Sequence, residues 1–146
     1  MEPASEIWHP APGVTWQWQL TGSKVDTYFD VDVYDIDGLD NSKATVDRLH
    51  ADGSRVVCYV SVGSWENWRP DKDRLPDKVL DNKYHGWPGE KWLNLRRIDL
   101  LGLIMESRMD MCAAKGFDAI EQDNMDGYTN KTGFPLTSSL QQMARR

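Results

Sequence analysis

Gly116-Phe117-Asp118-Ala119-Ile120-Glu121-Gln122-Asp123-Asn124 decides the fold of this chain. Before it, Asp99 to Lys115 sets Leu100, Leu103, Ile104, Met111 and Cys112 at helical spacing, and Gly116 is the residue that stops such a helix. After the glycine, Phe117 to Glu121 reads as a strand leading straight into Gln122-Asp123-Asn124. A helix delivered by a short glycine turn into a strand is the repeating unit of parallel α/β folds.

Working back towards the N-terminus, Ser64 to Arg97 contains Pro70, Pro76, Pro88, Gly86 and Gly89 and cannot be one regular element. It reads as a long connection of the kind that carries function. Val56 to Val62 is a nearly continuous apolar run, as expected of a parallel strand buried on both faces. Asn41-Ser42 offers an N-cap for a helix carrying Ala44, Val46 and Leu49, and Gly53 ends it. Val25 to Tyr34 alternates and is rich in β-formers, so it reads as a strand with Asp30 and Asp32 on one side. Trp16 to Leu20 alternates in the same way and reads as the first strand.

Residues 1–14 hold three prolines and no period, an extended arm. Residues 15–146 read as strand, strand, helix, strand, long loop, helix, strand, with a further helix beginning over Ser138 to Arg146. The expected fold is α/β, a parallel (β/α) barrel of TIM type truncated to about its first four strands, since a closed barrel needs about 250 residues and eight strands. The alternative is a small open sheet complete in itself.

The 146 residues are 40% hydrophobic, enough for one packed core. Seventeen basic and 23 acidic residues give a net charge of −6, which argues against nucleic acid as a partner and favours a neutral or cationic one. Seven Trp and five Tyr exceed the needs of so small a core and offer flat faces for sugar rings. No run approaches the roughly 18 apolar residues of a membrane span, and Met1 to Thr15 has no apolar core like that of a signal peptide, so a soluble chain without a membrane partner is expected. Cys58 and Cys112 read as buried free thiols rather than a disulfide. His9, His50 and His85 have no metal-ligand spacing, and phosphate loops and nucleophile elbows are lacking, so no cofactor is expected.

Ligands of parallel sheets bind at the C-terminal ends of the strands. The two-residue period puts Glu121 and Asp123 on one face there. Two carboxylates so close cannot both ionise without cost, so one is expected to keep its proton and act as an acid. The plainer alternative makes Asp123 a cap for the turn before Gly127. By the same alternation Gln17 and Gln19 face inward from the first strand, Asp30 and Asp32 share a face of the second, and Tyr59 and Ser61 share a face of the third. The loop from Gly63 to Asp71 mixes Trp65, Glu66 and Trp68 with Arg69, giving either a binding lip or a salt-bridged cover. A weaker possibility is a metal-dependent hydrolase with Asp30, Asp32 and Asp123 as oxygen ligands.

Four blocks taken together, Trp16 to Leu20, Cys58 to Ser64, Trp92 to Arg96 and Gly116 to Tyr128, resemble glycoside hydrolase family 114, the endo-α-1,4-polygalactosaminidases, over roughly residues 15 to 146. That family's Glu, Pro, Asp-Asn and Asp-Gly-Tyr pattern maps onto Glu121, Gln122, Asp123, Asn124, Asp126, Gly127 and Tyr128. Gln122 stands where Pro is usual, and Asn94 stands where Asp is usual, which removes a charge. The resemblance implies a TIM-barrel-type catalytic domain, an extracellular location, and Asp123 as one of two catalytic carboxylates, the second lying on a later strand. It implies a galactosamine-containing polysaccharide as substrate. Deacetylated galactosamine is cationic, which suits the acidic balance and Asp30, Asp32, Glu66, Glu121 and Asp126. The competing expectation is a non-catalytic carbohydrate-binding relative.

Overall fold

The computed structural model describes residues 7–22 and 24–139. Its strands are β1 (Trp16–Gln19), β2 (Val33–Asp37), β3 (Arg55–Ser61), β4 (Ser64–Glu66), β5 (Leu80–Lys83), β6 (Glu90–Leu93) and β7 (Ala119–Asp123), and its helices are α1 (Lys43–Ala51) and α2 (Ile98–Lys115). One sheet has the order β1-β2-β3-β7 and the other β4-β6-β5.

The first sheet is parallel. Trp16 lies opposite Val33, and Val33 lies opposite Arg55. Asp118 N donates to Val56 O at 2.9 Å and Val62 N to Asp123 O at 3.1 Å, so β7 continues the same direction along β3. The second sheet is antiparallel, with Ser64 opposite Trp92 and Leu80 opposite Leu93.

The chain divides into two compact units, one of Met1–Tyr59 with Met111–Glu121 and one of Val60–Asp110 with Gln122–Arg146. Each has an apolar core. In the first unit Tyr34, Ile36, Val46, Leu49 and Val56 pack together, with Val25, Val31 and Phe117 against them. In the second, Val62, Leu75, Val79, Leu93, Leu95, Leu101, Ile104 and Met125 form the cluster.

The helix signals read from the sequence hold. Ser42 Oγ accepts from Thr45 N at 3.3 Å to cap α1. Gly53 and Gly116, with φ of 93° and 86°, take the left-handed conformation past the ends of α1 and α2.

Two element readings change. The strand expected over Val25 to Tyr34 begins only at Val33, because residues 26–32 spend their polar groups locally. Gln19 binds Asp26 N and O through its amide, both at 2.8 Å, Tyr34 OH donates to Phe29 O, and Asp32 accepts from Thr15 N and Oγ1 at 2.7 and 2.8 Å. Asp30 and Asp32 therefore stand at the N-terminal entry of β2, away from the strand end where ligands bind. The segment from Ser64 to Arg97 is not a bare loop, since it builds the whole antiparallel sheet. Of the helix expected over Ser138 to Arg146, residues 140–146 lie outside the described residues.

Cys58 and Cys112 are joined as a disulfide, Cα atoms 6.1 Å apart, which corrects the free-thiol reading. Both side chains are buried, and Gly38 leaves them room: a Cβ there would run into the Cys58 sulfur. Sequence separation hid the pairing, because contact depends on α2 returning across β3.

With the cysteines 54 positions apart, loop-closure entropy makes the cross-link worth about 4 kcal/mol. Replacing both by Ala is expected to lower the unfolding free energy by about 2–4 kcal/mol in denaturant titrations under non-reducing conditions. A loss under about 1 kcal/mol would show that the bond does not constrain the unfolded chain.

Candidate active site

The parallel strands end on polar residues: β1 on Gln19, β2 on Asp37, β3 on Ser61 and β7 on Asp123. Strand ends of this sense are where parallel α/β sheets bind ligands.

In the second unit the end of β7 is built to tight tolerance. Val62 N and Gly63 N both donate to Asp123 O, at 3.1 and 3.3 Å, and Leu93 N donates to Gly63 O at 3.0 Å. Asn124 follows in the left-handed conformation, φ 63°, which Asn tolerates better than most side chains. Its carbonyl occupies the space where a Cβ on Gly63 would lie, so only glycine fits there. Thus the half-buried Asp123 is carried on a backbone fixed from the β3 side.

Beneath it lies a buried polar network. Asn124 Nδ2 donates to Ser61 Oγ at 2.8 Å and Ser64 Oγ at 3.1 Å, and the two hydroxyls are 2.6 Å apart. Ser64 Oγ donates to Glu90 Oε2 at 2.8 Å. Burial pushes the Glu90 carboxyl above its ordinary range, and the charges of Glu66 and Asp123 push the same way against the Ser64 hydrogen bond and Arg69. Tyr84, stacked on Trp92 at 4.3 Å between ring centroids, is also raised, by burial and then by Asp126, Asp123 and Glu90.

The other expected contacts of this unit vary. Glu66 is committed to Arg69, both buried, through bonds of 2.7 and 2.9 Å, so that part of the loop is a salt-bridged cover. Trp65 is half-buried and held by its Nε1, which donates to Lys72 O at 3.1 Å. Asp126 is exposed and its carbonyl closes the turn through Thr129 and Asn130, while Tyr128 is 45% exposed.

In the first unit, Gln17 and Tyr59 are half-buried on β1 and β3, and the Gln19 amide is engaged by Asp26. Glu121 is half-buried, yet its Oε2 is shut from solvent and has no hydrogen-bond partner among the described residues. Asp35 and Asp37, both buried on β2, hold the positions expected of Asp30 and Asp32. Asp37 Oδ1 accepts from Leu39 N and Asp40 N, both at 2.9 Å, shaping the turn into α1.

The sequence reading missed Asp35, Asp37 and Glu90. The alternation Val33-Tyr34-Asp35-Ile36-Asp37 just before Gly38 was the available signal for the first two. For Glu90 it was Gly89 ahead of the alternating Glu90-Lys91-Trp92-Leu93, obscured by the surrounding prolines and glycines.

Comparison with known proteins bears on the site as follows. The model of glycoside-hydrolase family GH114 matches residues 2–144. The crystal structure of Aspergillus fumigatus Ega3 in complex with galactosamine is 42% identical, with a TM-score of 0.91 over 99% of this chain and 57% of Ega3. The glycoside hydrolase domain of PelA from Pseudomonas aeruginosa shares the fold at 14% identity, with a TM-score of 0.62 over 90% of this chain and 50% of that one. No curated protein matches. The chain thus spans little more than half the length of these structures. With a family match over nearly its whole length and a parallel sheet that ends on Asp123-Asn124, the chain belongs to glycoside hydrolase family GH114.

Proposed function

We propose that this chain carries the Asp123 half of the catalytic site of an extracellular endo-α-1,4-polygalactosaminidase, in the first strands of a (β/α) barrel. The observation that carries the reading is Asp123-Asn124 at the C-terminal end of β7, inside a family match over residues 2–144. The galactosamine bound to Ega3, at 42% identity, supports the substrate. A net charge of −6 favours a polycation over a polyanion. The Cys58–Cys112 disulfide supports an oxidising, extracellular setting.

Glycoside hydrolysis by the common route uses two carboxyl groups about 5 to 9.5 Å apart, one protonating the leaving oxygen and the other acting as nucleophile or base. Asp123 is one of them in this proposal. Glu121 lies two residues earlier on the same strand, so both side chains leave β7 in the same direction and cannot flank a bond from opposite sides. Glu121, with its Oε2 shut from solvent, is therefore assigned no bond-flanking role. Ser61 and Asn124, buried and hydrogen-bonded to each other, hold the backbone that carries Asp123.

The test joins this chain to the remainder of the Ega3 barrel and measures reducing ends released from α-1,4-linked galactosamine chains. Asp123→Asn is expected to lower turnover at least about 10²-fold while binding changes little, because the lost interaction is made chiefly in the transition state. Turnover above about a tenth of the parent's would reassign Asp123 to binding or to a cap. Galactosamine oligosaccharides that bind the chimera without being cleaved would favour a carbohydrate-binding relative.

Glu90 gives a pH signature independent of substrate. Its folded-state carboxyl is raised above 4.5, so the folded chain holds this proton more tightly than the unfolded chain. Its contribution to stability is complete below the unfolded value and is lost as pH climbs through the folded one. Glu90→Gln keeps an acceptor for Ser64 and is expected to flatten that decline, gaining on the parent as pH rises from about 4.5 towards neutrality. Urea unfolding of both proteins across this range checks it; parallel stability curves would mean that Glu90 is not held protonated by its site.

A further inference from the structure

The hairpin of β5 and β6 walls a second recess in the second unit, of about 670 Å³, lined by Trp65, Tyr84, Trp87, Lys83, His85 and Lys91 together with Asn67 and the 86–90 turn. That volume lies inside the range of about 300–1,000 Å³ usual for small-molecule sites. Its charge is opposite to that of the chain as a whole. Lys83 and His85 have no carboxylate partner among the described residues, and Lys91 Nζ sits 5.5 Å from the Trp65 ring centroid rather than on an acid. The one acid in the lining, Glu90, is buried and turned to Ser64 Oγ. In a chain with 23 acidic and 17 basic residues, two lysines without a carboxylate partner among the described residues around one aromatic recess are a local reversal.

The walls are preformed. Tyr84 N donates to Glu90 O at 3.0 Å, Trp87 N to Tyr84 O at 3.2 Å and Glu90 N to Trp87 O at 3.2 Å, with Gly86 and Gly89 at φ 85° and 90° making the turn possible. Asn67 N donates to Gly89 O at 3.0 Å, which ties the opposite wall to the turn. Trp65 is anchored through Nε1, whereas Trp87 leaves its ring 57% exposed. Flat aromatic surface suits the apolar face of a ring, lysines suit an anion, and an amide suits hydroxyls.

We propose that this recess, which shares Tyr84 and Glu90 with the surroundings of Asp123, is a further binding site, for an acidic sugar, a pyranose bearing a carboxylate. The site does not depend on the Asp123 reading. A cationic sugar suits the acidic groups assigned there, and an anionic sugar suits this one, so a mixed or neighbouring acidic glycan can be held while a cationic chain is processed.

The probe is trigalacturonate, with galactotriose, a galactosamine trisaccharide and inorganic phosphate as comparisons, followed by amide chemical shifts and tryptophan fluorescence of the whole chain. Trigalacturonate is expected to saturate the site, with shifts centred on residues 83–91, at least about tenfold more tightly than galactotriose or the galactosamine trisaccharide. Lys83→Gln with Lys91→Gln should weaken it about tenfold, and raising ionic strength from about 50 to about 300 mM should weaken it as well, since exposed charges are screened. Equal affinity for galactotriose, tighter galactosamine binding at these residues, an unchanged double variant or no saturation would each overturn the proposal. Phosphate competing as strongly as trigalacturonate would reduce the site to a bare anion hole and overturn the sugar assignment. Should the double variant fold poorly, the salt series on the parent and Trp87→Ala decide the matter, the latter expected to weaken trigalacturonate several-fold.

Discussion

The arrangement of the second unit depends on one buried cation. Arg108, 2% exposed on α2, donates to both oxygens of Asp71, at 2.8 and 2.9 Å, and through Nη1 to Ser61 O at 2.7 Å. Taking a guanidinium out of water costs several kcal/mol unless its partners are fixed in place. Burial alone would raise the Asp71 carboxyl, but the Arg108 hydrogen bonds and charge outweigh it and hold it below the ordinary range. The pair is therefore ionised, and it ties α2, the turn at Asp71 and the last residue of β3 to one another.

That tie explains why the chemistry of the unit sits where it does. Ser61 gives its carbonyl to Arg108 and its hydroxyl to Ser64 and Asn124. A small shift of Ser61 would disturb the Ser64–Glu90 bond and the close passage of Gly63 against the Asn124 carbonyl at once. Networks of this kind are stable only when every member is satisfied. The network positions the backbone around Asp123 with no strain except the left-handed Asn124, a conformation concentrated at functional sites.

Local signals were legible, and distant ones were not. Ser42, Val46, Leu49 and Gly53 marked α1 because capping and helical period act within a few residues. The apolar run Val56 to Val62 marked β3 for the same reason. The start of β2 was misread because Val25 and Val31 do pack on the apolar core, as β-formers should, while Gln19, Thr15 and Tyr34 claim the backbone or side chains of their neighbours. The disulfide and the pairing of β4 with β6 depend on contacts tens of residues apart. Nothing near Arg108 in sequence points to its partners, which are 37 and 47 positions away. The family resemblance, by contrast, was legible because it rests on four short blocks in order.

The first unit shows carboxylates used as structural fastenings. Asp118 opens the approach to β7 and is fully used: His50 Nε2 and Arg55 Nη1 lie 2.7 Å from its two oxygens, and Val56 N donates at 2.8 Å. Burial would raise its carboxyl, but these hydrogen bonds dominate and lower it, so it stays ionised as a fastening. Asp32 is likewise occupied by Thr15 at the entry of β2, and its backbone and side-chain hydrogen bonds lower it. Both lie at N-terminal strand entries, where parallel sheets carry stability rather than chemistry. Glu121, on the same strand that Asp118 introduces, keeps a buried oxygen without a donor among the described residues. Asp118 is held by three hydrogen bonds while Glu121 leaves Oε2 without one, so burial costs Glu121 what it does not cost Asp118.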